Sequence, residues 1–182
     1  MSVIIRDACI SDAPRLLEIY SYYVQHTAIS FEYTTPTQEE FCRRMRHIMS
    51  RYPYLVAEVD GCVVGYAYAG ACELTIYLDP KARKRGLGRA LYGAMEKALG
   101  AMGVLNLYAC IGYPRGGDDE YLSTNSADFH AHLGFEKVGT FTACGYKFGR
   151  WYDMIWMEKI IGQHRAGQAN IVPFTDVKMD FT

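Results

Sequence analysis

The chain has 182 residues, half of them apolar and 21% charged, with 19 basic residues against 20 acidic for a formal charge of −1. That length suits one globular domain able to hold a core without disulfides or a structural metal. The balanced charge argues against a general nucleic-acid binder, and the composition excludes disordered and collagen-like chains. Six cysteines (9, 42, 62, 72, 110 and 144) lie far apart, with no C-x-x-C pair and no histidines at zinc spacing. They are expected as reduced, mostly buried thiols of a cytoplasmic protein that binds no metal. The opening residues lack the basic flank and apolar stretch of a signal peptide, and no run approaches the ~18 apolar residues of a membrane span. Fifteen tyrosines fit either a walled, partly polar pocket or ordinary core packing.

Residues 3–7 read as a short strand. A helix is expected from Ser11-Asp12, with Pro14 in its first turn and Leu16, Leu17, Tyr20, Tyr23 and Val24 as its apolar stripe. After a loop over 26–36, Thr37 and Glu40 form a capping-box pattern that opens a second helix, with Phe41, Met45 and Ile48 inward. Asp60-Gly61 between two apolar runs predicts a hairpin of 54–59 and 62–69. A strand over 73–78 ends at Asp79-Pro80 and leads into a basic, glycine-containing loop over 81–89. The helix that follows points Leu91, Met95, Ala98, Leu99 and Met102 inward, and 104–111 is the next strand. A polar loop over 113–124, a short helix over 126–133 and a strand over 135–141 come next. Residues 145–149 turn the chain into a last strand over 151–159, and the tail after 162 has no clear period. The whole reads as one α+β domain over 1–161 with a tail over 162–182.

The strongest local signal is Arg83-Lys84-Arg85-Gly86-Leu87-Gly88-Arg89, between a strand and a helix. A loop entering a helix N-terminus offers unpaired N–H groups and the positive end of the helix dipole, both suited to phosphate. A solvated basic turn is the competing reading. The P-loop pattern fails because no G-K-[ST] follows, and the dinucleotide fingerprint fails for want of its third glycine.

What remains is the R-x-x-G-x-G pattern of the GNAT acetyltransferases, met by Arg83, Gly86 and Gly88. The strand Glu73-Leu74-Thr75-Ile76-Tyr77-Leu78-Asp79-Pro80 is similar to that superfamily's central strand. Phe129-His130-Ala131-His132-Leu133-Gly134-Phe135 is similar to its later helix-to-strand junction. Gly145-Tyr146-Lys147-Phe148-Gly149-Arg150-Trp151-Tyr152-Asp153 resembles a segment of the phosphinothricin acetyltransferase branch, and the resemblance covers residues 3–160. It implies an α+β fold with a mixed, twisted sheet flanked by helices and splayed at its centre around pantetheine. It also implies a dimer and acetyl-CoA-dependent transfer to the amine of a small amino acid or amino-acid-like toxin.

The resemblance further implies roles for individual residues. Ile76, Tyr77 and Leu78 would offer backbone groups to the pantetheine arm, and Arg83, Lys84, Arg85, Gly86, Leu87, Gly88 and Arg89 would wrap the pyrophosphate. Ser123 or Asn125 would take the place of a cofactor-contacting asparagine. Glu73 matches the catalytic glutamate, and an ammonium must lose a proton before it attacks a thioester; the alternative is a strand glutamate facing solvent. His130 is either the acid for the leaving thiolate or a packing histidine. Phe31 and Glu32 match a substrate-lining loop, and Tyr66, Tyr68, Lys147, Arg150 and Trp151 are pocket candidates. The chain departs from the branch where Tyr68-Ala69-Gly70-Ala71-Cys72 runs straight into Glu73, without an arginine- and tyrosine-rich stretch. The acidic run Asp118-Asp119-Glu120 either favours a cationic acceptor or is a solvated loop. Two other readings stay open: an acetyl-CoA-binding sensor or degenerate enzyme, and a transferase for peptide or protein amines.

Overall fold

Asp60 and Gly61 both take positive φ, 48° and 81°, which is the twist a two-residue hairpin needs. They join β2 (Tyr54–Val59) to β3 (Cys62–Gly70). The structure is a computed structural model and describes residues 2–179. The other strands are β1 (Val3–Asp7), β4 (Glu73–Leu78), β5 (Asn106–Tyr113), β6 (Glu136–Lys147) and β7 (Arg150–Ile160). The α-helices are α1 (Ala13–His26), α2 (Gln38–Met49), α3 (Leu87–Ala101) and α4 (Asn125–His132). This is the expected α+β class, with the seven strands in one twisted sheet ordered β1-β2-β3-β4-β5-β7-β6. No described helix is long and apolar enough to cross a membrane.

The chain divides into two compact units. Among the described residues, the first comprises those up to Ile19, Pro36–Leu107, and those from Ile160 on. In it β1 to β4 form an antiparallel meander, with Ile5 opposite Ala57, Val56 opposite Tyr66 and Tyr66 opposite Tyr77. Leu87, Leu91, Met95, Ala98 and Leu99 of α3 are buried, as the helical period predicts. Gly65 leaves room for Leu78: a Cβ there would lie 2.4 Å from Leu78 Cδ2 and 3.1 Å from the Tyr77 carbonyl oxygen, so a side chain would displace Leu78. Thr37 caps α2 by accepting the Glu40 amide at 3.2 Å. Glu40 does not complete the capping box: its carboxylate pairs with Arg43 and Arg44 on its own helix.

The first helix begins later than its pattern suggests, with a 3-10 turn over Ile10–Asp12 before α1. Asp12 explains the turn. It accepts the Cys9 amide at 2.9 Å and receives the Arg6 fork at 2.9 Å on each oxygen, while Arg6 Nε reaches Glu58 at 3.0 Å. The Arg6 hydrogen bond holds the Asp12 carboxyl down at about 2, against the usual carboxylate value near 4. A folded-state pKa below the unfolded one contributes stability above the unfolded value and loses it as pH falls through the folded one. The melting temperature is therefore expected to fall between about pH 4 and 2, and less steeply in Asp12→Asn. Equal slopes for the two proteins would contradict this.

The second unit comprises Tyr20–Thr35 and Tyr108–Lys159. Its β6 and β7 pair antiparallel, with Glu136 opposite Glu158 and Lys147 opposite Arg150. The expected strand over 135–141 runs on to Lys147, and the turn tightens to Phe148-Gly149, φ 52° and 77°. Ala143, at φ 49°, absorbs the register shift between Phe141 and Gly145 that lets the strand continue. Gly145 breaks nothing: Phe31 lies over it, and a Cβ there would meet the ring at 2.2 Å.

Two further expectations change. None of the six thiols is buried; Cys9, Cys62 and Cys144 are exposed and the other three half-buried, all free. Cys62 opens β3 beside the hairpin turn, and Cys144 sits on an outward position of β6. The tail, without periodicity, is held by backbone bonds to the first unit: Ile161 N to Leu105 O at 2.8 Å, Val172 N to Met102 O at 3.0 Å and Phe174 N to Arg51 O at 2.8 Å.

Candidate active site

In the first unit β4 leads directly into the basic loop. Asp79 ends the strand by accepting the Lys81 amide at 2.9 Å and pairing with Arg15. Ala82 and Leu87, on either side of the loop, are buried in one cluster with Val59. The stretch between them is thus pinned at both ends while Arg83, Lys84, Arg85 and Arg89 stay exposed. Lys84 takes φ 62° and Gly86, the N-cap of α3, φ 76°. No side chain caps this helix, which leaves its first N–H groups without a side-chain acceptor. Left-handed backbone before an uncapped helix N-terminus is a concave array of donors with positive charge around it, an anion cradle. Gly88 lies buried in the first turn.

Glu73 is the first residue of β4, opposite Gly70 across a turn of only Ala71 and Cys72, with Ala71 at φ 60°. That turn replaces the arginine- and tyrosine-rich stretch. Glu73 is exposed as a residue, yet burial of its carboxyl by its surroundings pushes its pKa up. Among the described residues it makes no side-chain hydrogen bond or ion pair. The Cys72 thiol is also raised, by burial first and then by the Glu73 charge. Ile76, Tyr77 and Leu78 are half-buried further along the strand. The tyrosine candidates differ from one another. Tyr66 is fully buried, stacked on Tyr54 at 5.7 Å and edge-on to Phe41, so it is core rather than pocket wall. Tyr68 is half-buried and stacks on Tyr54 at 5.0 Å.

The second unit holds the remaining candidates. Lys147 is 3% exposed, and its ammonium donates to Val24 O at 2.7 Å and Ser30 O at 2.5 Å. Burial lowers its pKa, opposed by the Glu32 charge. Lys147 thereby fixes the segment carrying Phe31 and Glu32, and Phe31 stacks on Tyr152 at 6.4 Å. Trp151 is 55% exposed and tilts against Tyr146. Ser123 accepts the Asn125 amide at 3.4 Å, and Asn125 is exposed. His130 is buried between Phe129 and Phe135, with Nδ1 2.6 Å from Ser126 O. A carbonyl can only accept, so Nδ1 carries a hydrogen, and burial lowers the ring's pKa.

The acidic run is engaged by groups of the second unit itself. Asp119 accepts the Tyr121 and Leu122 amides at 2.8 Å each and the Tyr152 hydroxyl at 3.0 Å, and pairs with Arg150 at 3.2 Å. Glu120 also pairs with Arg150, and Asp118 accepts the Thr124 amide. Arg150 is therefore a loop anchor, lying 5.4 Å over the Tyr121 ring. Sequence reasoning missed Tyr121 and Tyr152, which with Leu122 and Ala28 form the cluster around Phe31. Only the proximity of aromatics to the acidic run pointed to them.

Three comparisons bear on this arrangement. The acetyltransferase (GNAT) domain family matches residues 5–156. The phosphinothricin N-acetyltransferase of Streptomyces viridochromogenes is 33% identical over 160 residues, 82% of this chain and 83% of that protein. The L-methionine sulfoximine/L-methionine sulfone acetyltransferase of Pseudomonas aeruginosa is 33% identical over 173 residues, 87% of this chain and 94% of its own. The crystal structure of a Sinorhizobium meliloti phosphinothricin acetyltransferase with AcCoA superposes with TM-score 0.83 at 32% identity, over 96% of this chain and 99% of that one.

Proposed function

The chain belongs to the GNAT acetyltransferase family and is an acetyl-CoA-dependent N-acetyltransferase, and on that premise we propose that its acceptor is the α-amine of a small amino acid or amino-acid-like toxin of the phosphinothricin or methionine sulfoximine type. The observation that carries the mechanism is a carboxylate of raised pKa with no ion-pair partner among the described residues, Glu73, on the strand that runs into the anion cradle. Acetyl-CoA supplies the acetyl group as an activated thioester. The cradle residues suit its phosphates: the Leu87 and Gly88 amides donate, and the exposed basic side chains neutralise charge. Glu73, as general base, takes a proton from the acceptor ammonium, which frees the nitrogen lone pair to attack the thioester carbon. The C–S bond then breaks and the thiolate takes up a proton. For His130 that acid role requires protonation which burial opposes, and a packing role fits its Nδ1 bond better. With Lys147 committed to two carbonyls, selection of the acceptor rests on Phe31 and Glu32. A homodimer and a cytoplasmic location belong to the same reading, and Ile171 and Val172 of the tail stay exposed for an apolar contact.

The test is thiol release from acetyl-CoA against phosphinothricin, methionine sulfoximine, methionine sulfone, the common amino acids, polyamines and short peptides. Turnover concentrated in the first three supports the proposal, and turnover confined to polyamines or peptides overturns the substrate class. Binding of acetyl-CoA without turnover on any amine makes the chain a sensor. The cradle carries its own prediction. Gly86→Ala meets no atom within 4 Å, so its effect comes from strain at φ 76° alone. It is expected to raise the KM for acetyl-CoA about tenfold, reflecting roughly 1–2 kcal/mol of left-handed strain, with a smaller change in the acceptor KM. An unchanged acetyl-CoA KM would remove the cradle from the account.

A further inference from the structure

A cavity of about 270 Å³ lies within the first unit and shares no lining residue with β4 or the basic loop. Its walls come from three places. Asp7 ends β1, Met49 and Tyr52 stand at the C-terminal end of α2 with Tyr54 just beyond, and the tail closes it with Phe174 and Met179. The backbone bond from Phe174 N to Arg51 O holds the tail wall against the α2 end, and that from Ala8 N to Tyr54 O joins the Asp7 and Tyr54 walls.

The chemistry of these walls is one-sided. Among the described residues the Asp7 carboxylate makes no hydrogen bond or ion pair; Arg6 reaches only its backbone oxygen, the guanidinium being committed to Asp12 and Glu58. Asp7 is exposed as a residue, and partial burial of its carboxyl pushes the pKa up. Tyr52, Tyr54 and Phe174 contribute aromatic rings to the lining, and the buried Tyr54 ring is fixed by stacking on Tyr66 and Tyr68. Arg51 and Lys178 are exposed and line none of it.

We propose that this cavity is a binding site for a small organic cation, an alkylammonium held among Tyr52, Tyr54 and Phe174 with Asp7 as its counter-ion. The volume is at the small end of ligand cavities, so the occupant is an amine of metabolite size rather than a nucleotide. Because the tail supplies part of the wall, the bound cation also fastens the tail to the first unit. The proposal is independent of the acceptor assigned above.

The probe is choline, compared with 3,3-dimethylbutan-1-ol, its uncharged isostere, in calorimetric titrations of the full chain. Choline is expected to bind in the low millimolar range and to raise the melting temperature, and the isostere to bind about tenfold more weakly or not at all. Asp7→Asn, which leaves the Arg6 contacts in place, is expected to weaken choline about tenfold, and Phe174→Ala similarly. Glu73→Gln is expected to bind choline unchanged. Absence of choline binding, equal binding of the isostere, retained affinity in Asp7→Asn, or loss of affinity in Glu73→Gln would each overturn the proposal. The last would place the cation at the acceptor position instead.

Discussion

Replacing Glu73 with glutamine is expected to lower kcat by about 10²–10⁴-fold near neutral pH, with little change in the KM for acetyl-CoA. Glutamine has nearly the same shape but cannot accept a proton, so the acceptor must lose its proton to water before it attacks. The pH profile separates this role from a structural one. A base works only when ionised, and burial raises the Glu73 pKa above the ordinary glutamate value. The wild-type rate therefore falls as pH drops through that raised value, and the variant lacks this limb. Stability moves the other way. A carboxyl whose folded-state pKa is raised favours folding below the unfolded value and loses that contribution as pH climbs through the folded one. At neutral pH Glu73→Gln should thus melt no lower than the parent. A lower melting temperature with an unaltered pH profile would make Glu73 a structural residue.

The second large effect is expected at Lys147. Val24 O lies in the last turn of α1, where carbonyls lack helical partners, and Ser30 O belongs to the loop that follows. Both accept from an ammonium supplied by β6, more than a hundred positions along the chain. Lys147→Met keeps the apolar stem and removes the donor, leaving two acceptors buried without a partner. At about 1–3 kcal/mol for each unsatisfied group, the loss is roughly 2–6 kcal/mol. For a chain of this size that lowers the melting temperature by roughly 5–20 °C. The loop it holds carries Phe31 and Glu32, so the acceptor KM should rise while the acetyl-CoA KM changes little. A melting temperature within about 2 °C of the parent would show that water satisfies the two carbonyls as well as the ammonium does.

What could be read from residues alone divides along the distance between partners. The Asp60-Gly61 hairpin, the Thr37 cap and the basic stretch over 83–86 that enters α3 at Leu87, earlier than the expected end of the loop at 89, were legible because their determinants sit within a few residues of each other: a glycine free to take positive φ, a hydroxyl three positions before an amide, a run of basic side chains before a helix. The course of β6 was not legible. Gly145 looks like a breaker, and only the Phe31 ring, from a distant segment, explains a glycine inside that strand. The acidic run stayed open between a cationic acceptor and a solvated loop because Arg150 lies 30 positions away from Glu120 and its pairing leaves no local mark. Lys147 and Tyr66 matched the expected pocket by residue type, but the fold commits one to two carbonyls and the other to an aromatic stack. Glu73 was legible as a position, by resemblance; its raised pKa depends on neighbours that the sequence does not place.

The account is tested most directly by measuring kcat/KM for methionine sulfoximine and for a short peptide with a free α-amine, in competition for limiting acetyl-CoA, with the acetylated products identified. The account predicts that the amino-acid analogue is preferred by at least about a hundredfold, roughly 2.7 kcal/mol in transition-state binding, and that the Glu73→Gln variant acetylates neither at an appreciable rate. Equal or greater turnover of the peptide would contradict the assigned acceptor, and an unimpaired Glu73→Gln variant would contradict the assigned base.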